Sequence, residues 1–124
     1  MQSILKSNRR TDISFSSSGQ INISAHLARE LDLHAGDAID VKTDGFEYYI
    51  YVRTPATGGV RYEALCFPSN KRGKHFRAYS RRLCKHVLQA CGCTDKVELA
   101  TGDAMMEDGI KHISIITKLI LRHD

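Results

Sequence analysis

Residues 19–41 read GQINISAHLARELDLHAGDAIDV, and this stretch decides the fold. Residues 20–23 alternate polar and apolar side chains, as a half-buried strand does. Ser24 then suits a helix N-cap, because its hydroxyl can accept a hydrogen bond from the open N–H groups of the first helical turn. Leucines recur on one side of a short helix that Gly36 is expected to end, and Ala38–Lys42 alternate again. The stretch therefore predicts a strand, a short amphipathic helix and a second strand.

The same order of elements recurs further along the chain. Ser80 lies 56 residues after Ser24 and repeats the N-cap, and Gly92 lies 56 residues after Gly36 and repeats the helix end. Helix caps and amphipathic faces also converge through physics alone, but the repeated order of elements favours a duplication. Extended structure is predicted around the second helix, at Val60–Phe67, Lys74–Ala78, Lys96–Leu99 and Ile110–Leu121.

We predict two repeats, residues 1–53 and 60–124, joined by a linker at residues 54–59 and folded as one compact domain. The linker is rich in turn formers, including Pro55, and has no apolar periodicity. A half of about 60 residues with one short helix buries little apolar surface and is marginal alone. Its strand edges would also stay open to unwanted pairing. Packing the two halves together enlarges the core and closes those edges.

Further short strands are predicted in the first repeat, at Ile4–Lys6, Ile13–Phe15 and Phe46–Arg53. Asp44-Gly45 precedes the last of these and is a strong signal for a hairpin turn. Pro68 is expected to break the strand before it. The predicted fold class is therefore mainly β with two short helices, an α+β domain.

Residues 19–53 resemble the SpoVT/AbrB-like family, whose superfamily includes the MazE-type antitoxins. The resemblance rests on the alternating strand, the short amphipathic helix, Gly36-Asp37 and the apolar strand that follows, and it is weaker over residues 73–120. It implies a double-psi or swapped-hairpin barrel, in which two copies exchange hairpins to complete one core. Family members usually form homodimers, whereas the tandem halves here imply that one chain supplies both copies. The chain departs from the family at Ile23-Ser24, where Ile-Pro is common.

The resemblance also implies a DNA-binding transcriptional regulator, and the charge distribution agrees with it. The net charge is +4, and the excess of Lys and Arg lies after residue 62. Lys71–His86 contains seven Lys or Arg and no acid, which is typical of a polyanion binder, although a charge run can also be a solvated surface. We predict that duplex DNA is contacted mainly through the second repeat. The predicted nucleic-acid-binding residues are Arg9, Arg10, Arg29, Lys71, Arg72, Lys74, Arg77, Arg81, Arg82 and Lys85.

Two other classes of function are weighed against this one. An antitoxin-like module that has lost DNA binding would have a toxin-like or other protein partner, but little chain follows the last apolar segment before Asp124. An enzyme is not predicted, because the sequence has no nucleophile elbow, phosphate loop or metalloprotease spacing. We therefore predict no catalytic residue, no cofactor and no metal. The expected state is a monomeric pseudo-dimer or a homodimer.

The four cysteines are predicted to be reduced and structural, since Cys84 and Cys91 fall on the apolar side of the second helix. The alternative is a zinc site. Structural zinc usually takes ligand pairs separated by two to four residues, and the Cys-Gly-Cys spacing is tighter than that. The ligands of such a site would be His75, His86, Cys91 and Cys93.

The composition, 42% hydrophobic and 26% charged, is that of an ordinary globular protein and excludes a disordered or low-complexity chain. The longest apolar stretch, Ile113–Leu121, is interrupted by Lys118 and is too short to cross a bilayer. The N-terminal residues lack the apolar core of a signal peptide. We therefore expect a cytoplasmic protein with no membrane partner.

Overall fold

The structure is a computed structural model that describes residues 10–53, 63–69, 74–118 and 120–123. Three of the predicted DNA-binding residues, Arg9, Lys71 and Arg72, lie outside the described residues. The same is true of the predicted strand Ile4–Lys6 and the predicted linker at residues 54–59.

Within the described residues, nine antiparallel strands form one curled sheet with two helices. The mainly β, α+β class is therefore confirmed. The elements are β1 (Ile13–Ser16), β2 (Gln20–Ile23), α1 (Ala25–Leu31), β3 (Ala38–Thr43), β4 (Tyr48–Arg53), β5 (Phe67–Pro68), β6 (Phe76–Tyr79), α2 (Arg81–Cys91), β7 (Lys96–Glu107), β8 (Ile110–Ile116) and β9 (Arg122–His123).

Strands from the first part of the chain pair with strands from the second. The order along the sheet is β3-β4-β8-β7-β1-β2-β6-β5, and β9 pairs with β7. Thus β1 pairs with β7, β2 with β6 and β4 with β8, all antiparallel. Among the described residues, the first part supplies two separate pairs, β1-β2 and β3-β4, and the second supplies β5-β6 and β7-β8, so the sheet is continuous only through the pairs between the two parts.

The two ends of this order are joined by the residues that precede β5. Leu65 forms a bridge with Ala38 of β3. The N–H of Ile39 donates to the carbonyl of Ala64 at 3.1 Å, and the N–H of Cys66 donates to the carbonyl of Asp37 at 2.7 Å. The sheet therefore curls far enough for its first and last strands to come together.

The core lies inside this curl and is built from alternate strand residues. α2 packs against β1, β2 and β7, while α1 packs against β8, so each helix covers strands from the other part of the chain. The largest fully buried apolar side chains are Phe15, Ile13, Ile21, Ile23, Leu27, Ile39, Ile50, Leu99, Ile115, Val87 and Val97.

Both predicted N-caps are confirmed. Ser24 Oγ accepts from the N–H of Leu27 at 3.2 Å, and Ser80 Oγ accepts from the N–H of Leu83 at 3.2 Å. Each hydroxyl also donates to a carboxylate that lies before the first strand of its own half. The acceptor is Asp12 for Ser24, at 3.4 Å, and Glu63 for Ser80, at 2.7 Å. The two halves therefore fix their helix starts in the same way.

The ends of the two helices differ from each other. Gly92 ends α2 in the left-handed region at φ 70°, as predicted. The prediction that Gly36 ends α1 is wrong, because α1 ends at Leu31. Asp32 takes the left-handed conformation at φ 54° and its N–H donates back to the carbonyls of Ala28 and Arg29. Asp adopts this region more readily than most residues, so it can replace glycine at the helix end.

Strand limits differ from the predictions mainly after the linker. Within the described part of Val60–Phe67, only Phe67 lies in a strand, and Pro68 continues that strand instead of breaking it. A proline is tolerated there because β5 is short and ends the strand order. β6 begins at Phe76 instead of Lys74, β7 extends to Glu107, and β8 ends at Ile116. In the first half, β4 begins at Tyr48 instead of Phe46.

We expect Ser80→Ala to lower the free energy of unfolding by about 1–2 kcal/mol, because it removes an N-cap acceptor and the donor to Glu63 from a buried site. Urea titration followed by circular dichroism measures the change. Ser17→Ala, at the exposed β1–β2 turn, is the matched control and should stay within about 0.5 kcal/mol of the parent protein. Equal effects of the two substitutions would contradict the role given to Ser80.

Candidate nucleic-acid interface

The outer side of the β2–β6 pair carries polar and basic side chains where the two halves meet. Asn22 is the register partner of Arg77, and Gln20 is the partner of Tyr79. Arg77 Nε donates to Asn22 Oδ1 at 3.2 Å, and the hydroxyl of Tyr79 donates to Gln20 Oε1 at 3.5 Å. The alternate residues of both strands are buried, so strand periodicity turns these side chains outward.

Arg81 continues this line where β6 leads into α2. Its side chain lies against the β1–β2 turn at Gly19, which has φ +96°. A Cβ on Gly19 would lie 2.9 Å from Arg81 Cγ, and Gly19 directly precedes Gln20. Glycine is thus required here both for the backbone conformation and for the close approach of the arginine. We call Arg77 and Arg81, with Gln20 and Asn22 of the paired strand, the basic face.

Arg82, which was also predicted to bind DNA, is engaged elsewhere. Its guanidinium lies 2.7 Å from a carboxylate oxygen of Glu63. The hydrogen bond from Ser80, and then that from Arg82, lower the pKa of Glu63 below its ordinary value. Arg82 and His86 line a separate cleft of about 340 Å³ beside β3 and β4. Arg77, Arg81 and Arg82 are all exposed, but the charge of Arg82 is partly compensated by Glu63.

The remaining predicted basic residues lie in other places. Lys74 and Arg29, one from each half, line a single depression of about 510 Å³ beside α1. Lys85 is exposed one helical turn after Arg81. Arg10 lines a different depression together with His26. The structure thus brings Arg77 and Arg81 together and Lys74 and Arg29 together, but it does not gather the whole set on one surface.

Sequence analysis missed a groove next to the basic face. Leu65, Phe67, Arg77 and Tyr79 line a space of about 610 Å³, which we call the aromatic groove. Phe67 is the register partner of Arg77, and its side chain is 52% exposed. In the structure, Leu65 and Phe67 are exposed while Ala64 and Cys66 are buried, but all four residues are apolar, so the sequence has no polar–apolar alternation to reveal this. The sequence analysis predicted a strand over Val60–Phe67 without assigning its faces.

The thiols are free, and Cys66 and Cys84 are buried, as expected of structural cysteines. Burial raises the pKa of Cys66 to about 12 and that of Cys91 to about 11, so both thiols are protonated at neutral pH. In the described ranges, no cluster of three or more His, Cys, Asp or Glu is arranged to hold a metal ion. The zinc alternative therefore gains no support.

Among the described residues, no helix combines the length and the apolar character needed to cross a membrane.

No protein-family model, curated protein or solved structure matches the chain. The resemblance to the SpoVT/AbrB-like family therefore stays a prediction. The same holds for duplex DNA binding, the antitoxin-like alternative, the absence of catalysis and the cytoplasmic location.

Proposed function

We propose that this chain is a DNA-binding regulator of the SpoVT/AbrB type, in which two repeats of one polypeptide form a swapped-hairpin barrel. The basic face contacts duplex DNA. The observation that carries the proposal is the placement of two exposed arginines where the halves meet, Arg77 on the β2–β6 pair and Arg81 against the β1–β2 turn that leads into β2.

The pattern of pairing supports the two-repeat part of the proposal. In order, β2, β4 and α1 of the first half correspond to β6, β8 and α2 of the second. Corresponding strands pair antiparallel with each other, β2 with β6 and β4 with β8. An antiparallel pair of equivalent strands has local two-fold symmetry. The same symmetry relates the two subunits of a homodimer, so this pairing is expected when two repeats take the place of two subunits. The matching Ser–carboxylate contacts at the two helix starts point the same way.

The chemistry of the basic face suits phosphate and base edges. An arginine presents five donors in a planar fork, so it can contact two phosphate oxygens or the O6 and N7 acceptors of guanine. The hydrogen bond from Arg77 Nε to Asn22 limits the freedom of that guanidinium before DNA arrives. Arg81 is the first residue of α2, whose open N–H groups also favour a phosphate.

The proposal is tested by titrating salt against the affinity for random-sequence duplex DNA. Each neutralised phosphate contributes about −0.9 to the slope of log K against log salt, so the two arginines of the basic face should give a slope near −2. Fluorescence anisotropy with a labelled duplex of about 20 base pairs measures it. An absence of binding at about 20 mM salt, where phosphate contacts are strongest, would overturn the proposal.

A further inference from the structure

The aromatic groove exposes large apolar side chains beside cations. The Tyr79 side chain is 58% exposed, Phe67 is 52% exposed and Leu65 is 38% exposed. Isolated exposed apolar residues are common, but these three line one groove. Clustered exposure of this kind marks a surface that is covered by a ligand.

Strand register fixes how the groove is arranged. Phe67 lies opposite Arg77, and the N–H of Ala64 donates to the carbonyl of Tyr79 at 3.1 Å, which brings the segment before β5 alongside Tyr79. Phe67 and Tyr79 are therefore diagonal neighbours across the strand pair, with side chains about 7–8 Å apart. Arg77 lies in register between Phe67 of β5 and Asn22 of β2, and its Nε donates to Asn22 Oδ1.

The charge of the groove favours an anionic ligand. Among the described residues, its lining contains one cation, Arg77, and one acid, Glu63, and Arg81 follows beyond Tyr79. The Glu63 carboxylate is already engaged by the Ser80 hydroxyl and by Arg82, each at 2.7 Å. Within the described ranges, a ligand would therefore meet two aromatic rings with the guanidinium of Arg77 beside them. This combination suits a nucleotide, whose base stacks on a ring while its phosphate takes the arginine.

We propose that the aromatic groove binds an unpaired base of a single-stranded segment that adjoins the duplex held by the basic face. In a closed duplex the faces of the bases are stacked on each other, so blunt DNA gains nothing from Phe67 and Tyr79. A strand that leaves the duplex can place a base on these rings while its phosphate stays near Arg77. The inference rests on the proposed function, because it assigns the neighbouring duplex to the same face.

The test compares three labelled DNAs at one salt concentration. They are a blunt duplex, the same duplex with a six-thymine extension, and the same duplex with an extension of six abasic sugar-phosphates. Each extension is placed at the 3′ end in one set of DNAs and at the 5′ end in another. The abasic extension has the same phosphates without the bases, so it isolates stacking from charge. We expect the thymine extension to bind about tenfold more tightly than the abasic one at one of the two ends.

Substitutions assign that difference to the groove. Tyr79→Ala and Phe67→Ala should each remove most of the preference for thymine while leaving the blunt-duplex affinity and its salt slope unchanged. Tyr79→Phe keeps the ring and should keep the preference. Phe46→Ala is the matched control, because Phe46 is also an exposed phenylalanine, 78% exposed, but lies at the β3–β4 turn.

Equal affinities for the thymine and abasic extensions would overturn this inference and point to an apolar protein partner for the groove. Blunt-duplex binding in the same experiment would then leave the proposed function standing. Conversely, a thymine preference that depends on Tyr79, with no blunt-duplex binding at low salt, would support the groove and overturn duplex recognition. The inference would also be contradicted if Tyr79→Ala lowered the affinity for the blunt duplex by the same factor as the affinity for the thymine-extended duplex.

Discussion

The double charge reversal Arg77→Glu with Arg81→Glu should weaken binding to blunt duplex DNA by about 60-fold at 0.1 M salt. A slope of about −0.9 per phosphate means that each lost contact forfeits roughly eightfold at that concentration, and two contacts multiply. The salt slope should therefore become shallower by about two. Both side chains are exposed, so the fold should tolerate the change, and thermal unfolding of the variant checks this.

The matched control is the double reversal Arg10→Glu with Lys111→Glu, which changes the net charge by the same amount. Both residues are exposed, Arg10 beside a different depression and Lys111 on β8 next to the β7–β8 turn. This control should lose only the small long-range part of the attraction, which is screened within about 8–10 Å at such salt. Equal losses in the two double variants would show that net charge alone governs binding and would remove the basic face as a specific site.

Local features of the fold were predictable from the sequence because they depend on neighbouring residues. Ser24 and Ser80 are N-caps whose geometry is satisfied within three residues. The β3–β4 turn at Asp44-Gly45 is likewise local, and Asp44 Oδ1 accepts from the N–H groups of Phe46 and Glu47. Hydrophobic periodicity also placed β1, β2 and α2 correctly.

The end of α1 was not predictable from neighbouring residues, because it depends on the packing of Leu33 in the core. Leu33 is buried in the core, so the chain must leave the helix at Asp32 to direct Leu33 inward. A rule that ends the helix at the next glycine selects Gly36. The N–H of Gly36 instead donates to the carbonyl of Cys66 at 2.7 Å. That contact belongs to the junction between the two ends of the sheet, and no local pattern encodes it.

The candidate site was only partly predictable, and Tyr79 shows why. In the first half, buried Ile23 directly precedes the cap Ser24, whereas in the second half exposed Tyr79 separates buried Ala78 from Ser80. An alignment that fixes both caps at one offset therefore misplaces the strand before the second cap by one residue. A one-residue shift turns a strand side chain to the other face of the sheet. The exposure of Arg77 and Tyr79 is therefore set by the pairing of β6 with β2, and the 56-residue offset between the two caps does not predict it.

The sequence shows that Lys71–His86 is rich in Lys and Arg, but it does not show where those side chains lie on the surface of the fold. Arg81 and Arg82 are neighbours in sequence, yet one lies against Gly19 and the other pairs with Glu63. Their separation arises because successive residues of a helix point about 100° apart. Both side chains are exposed, and the packing of α2 against the β1–β2 turn decides that Arg81, and not Arg82, lies beside Gly19.

Neither half of the chain should fold alone, and the two halves should fold together when mixed. A protease site placed within residues 54–59 allows the intact protein to be cut and its fragments to be separated in denaturant. Each isolated fragment should show no cooperative thermal transition, whereas the equimolar mixture should recover the transition and the circular dichroism of the uncut protein. The reason is that separation removes the partner on one side of six strands, β1, β2, β4, β6, β7 and β8.

Each half depends on the other for folding through buried polar contacts as well as through strand pairing. The carboxylate of Asp12 is buried and accepts from the N–H of Thr101 at 3.0 Å and from its hydroxyl at 2.9 Å, across the two halves. An isolated first half would bury Asp12 without these donors or expose the core around it, and both cost stability. Protein cut at the same site but never denatured is the control, and it should keep the parent transition. A cooperative transition in either isolated fragment, as a monomer, would instead show that the halves are independent domains and would remove the shared β2–β6 pair on which the basic face depends.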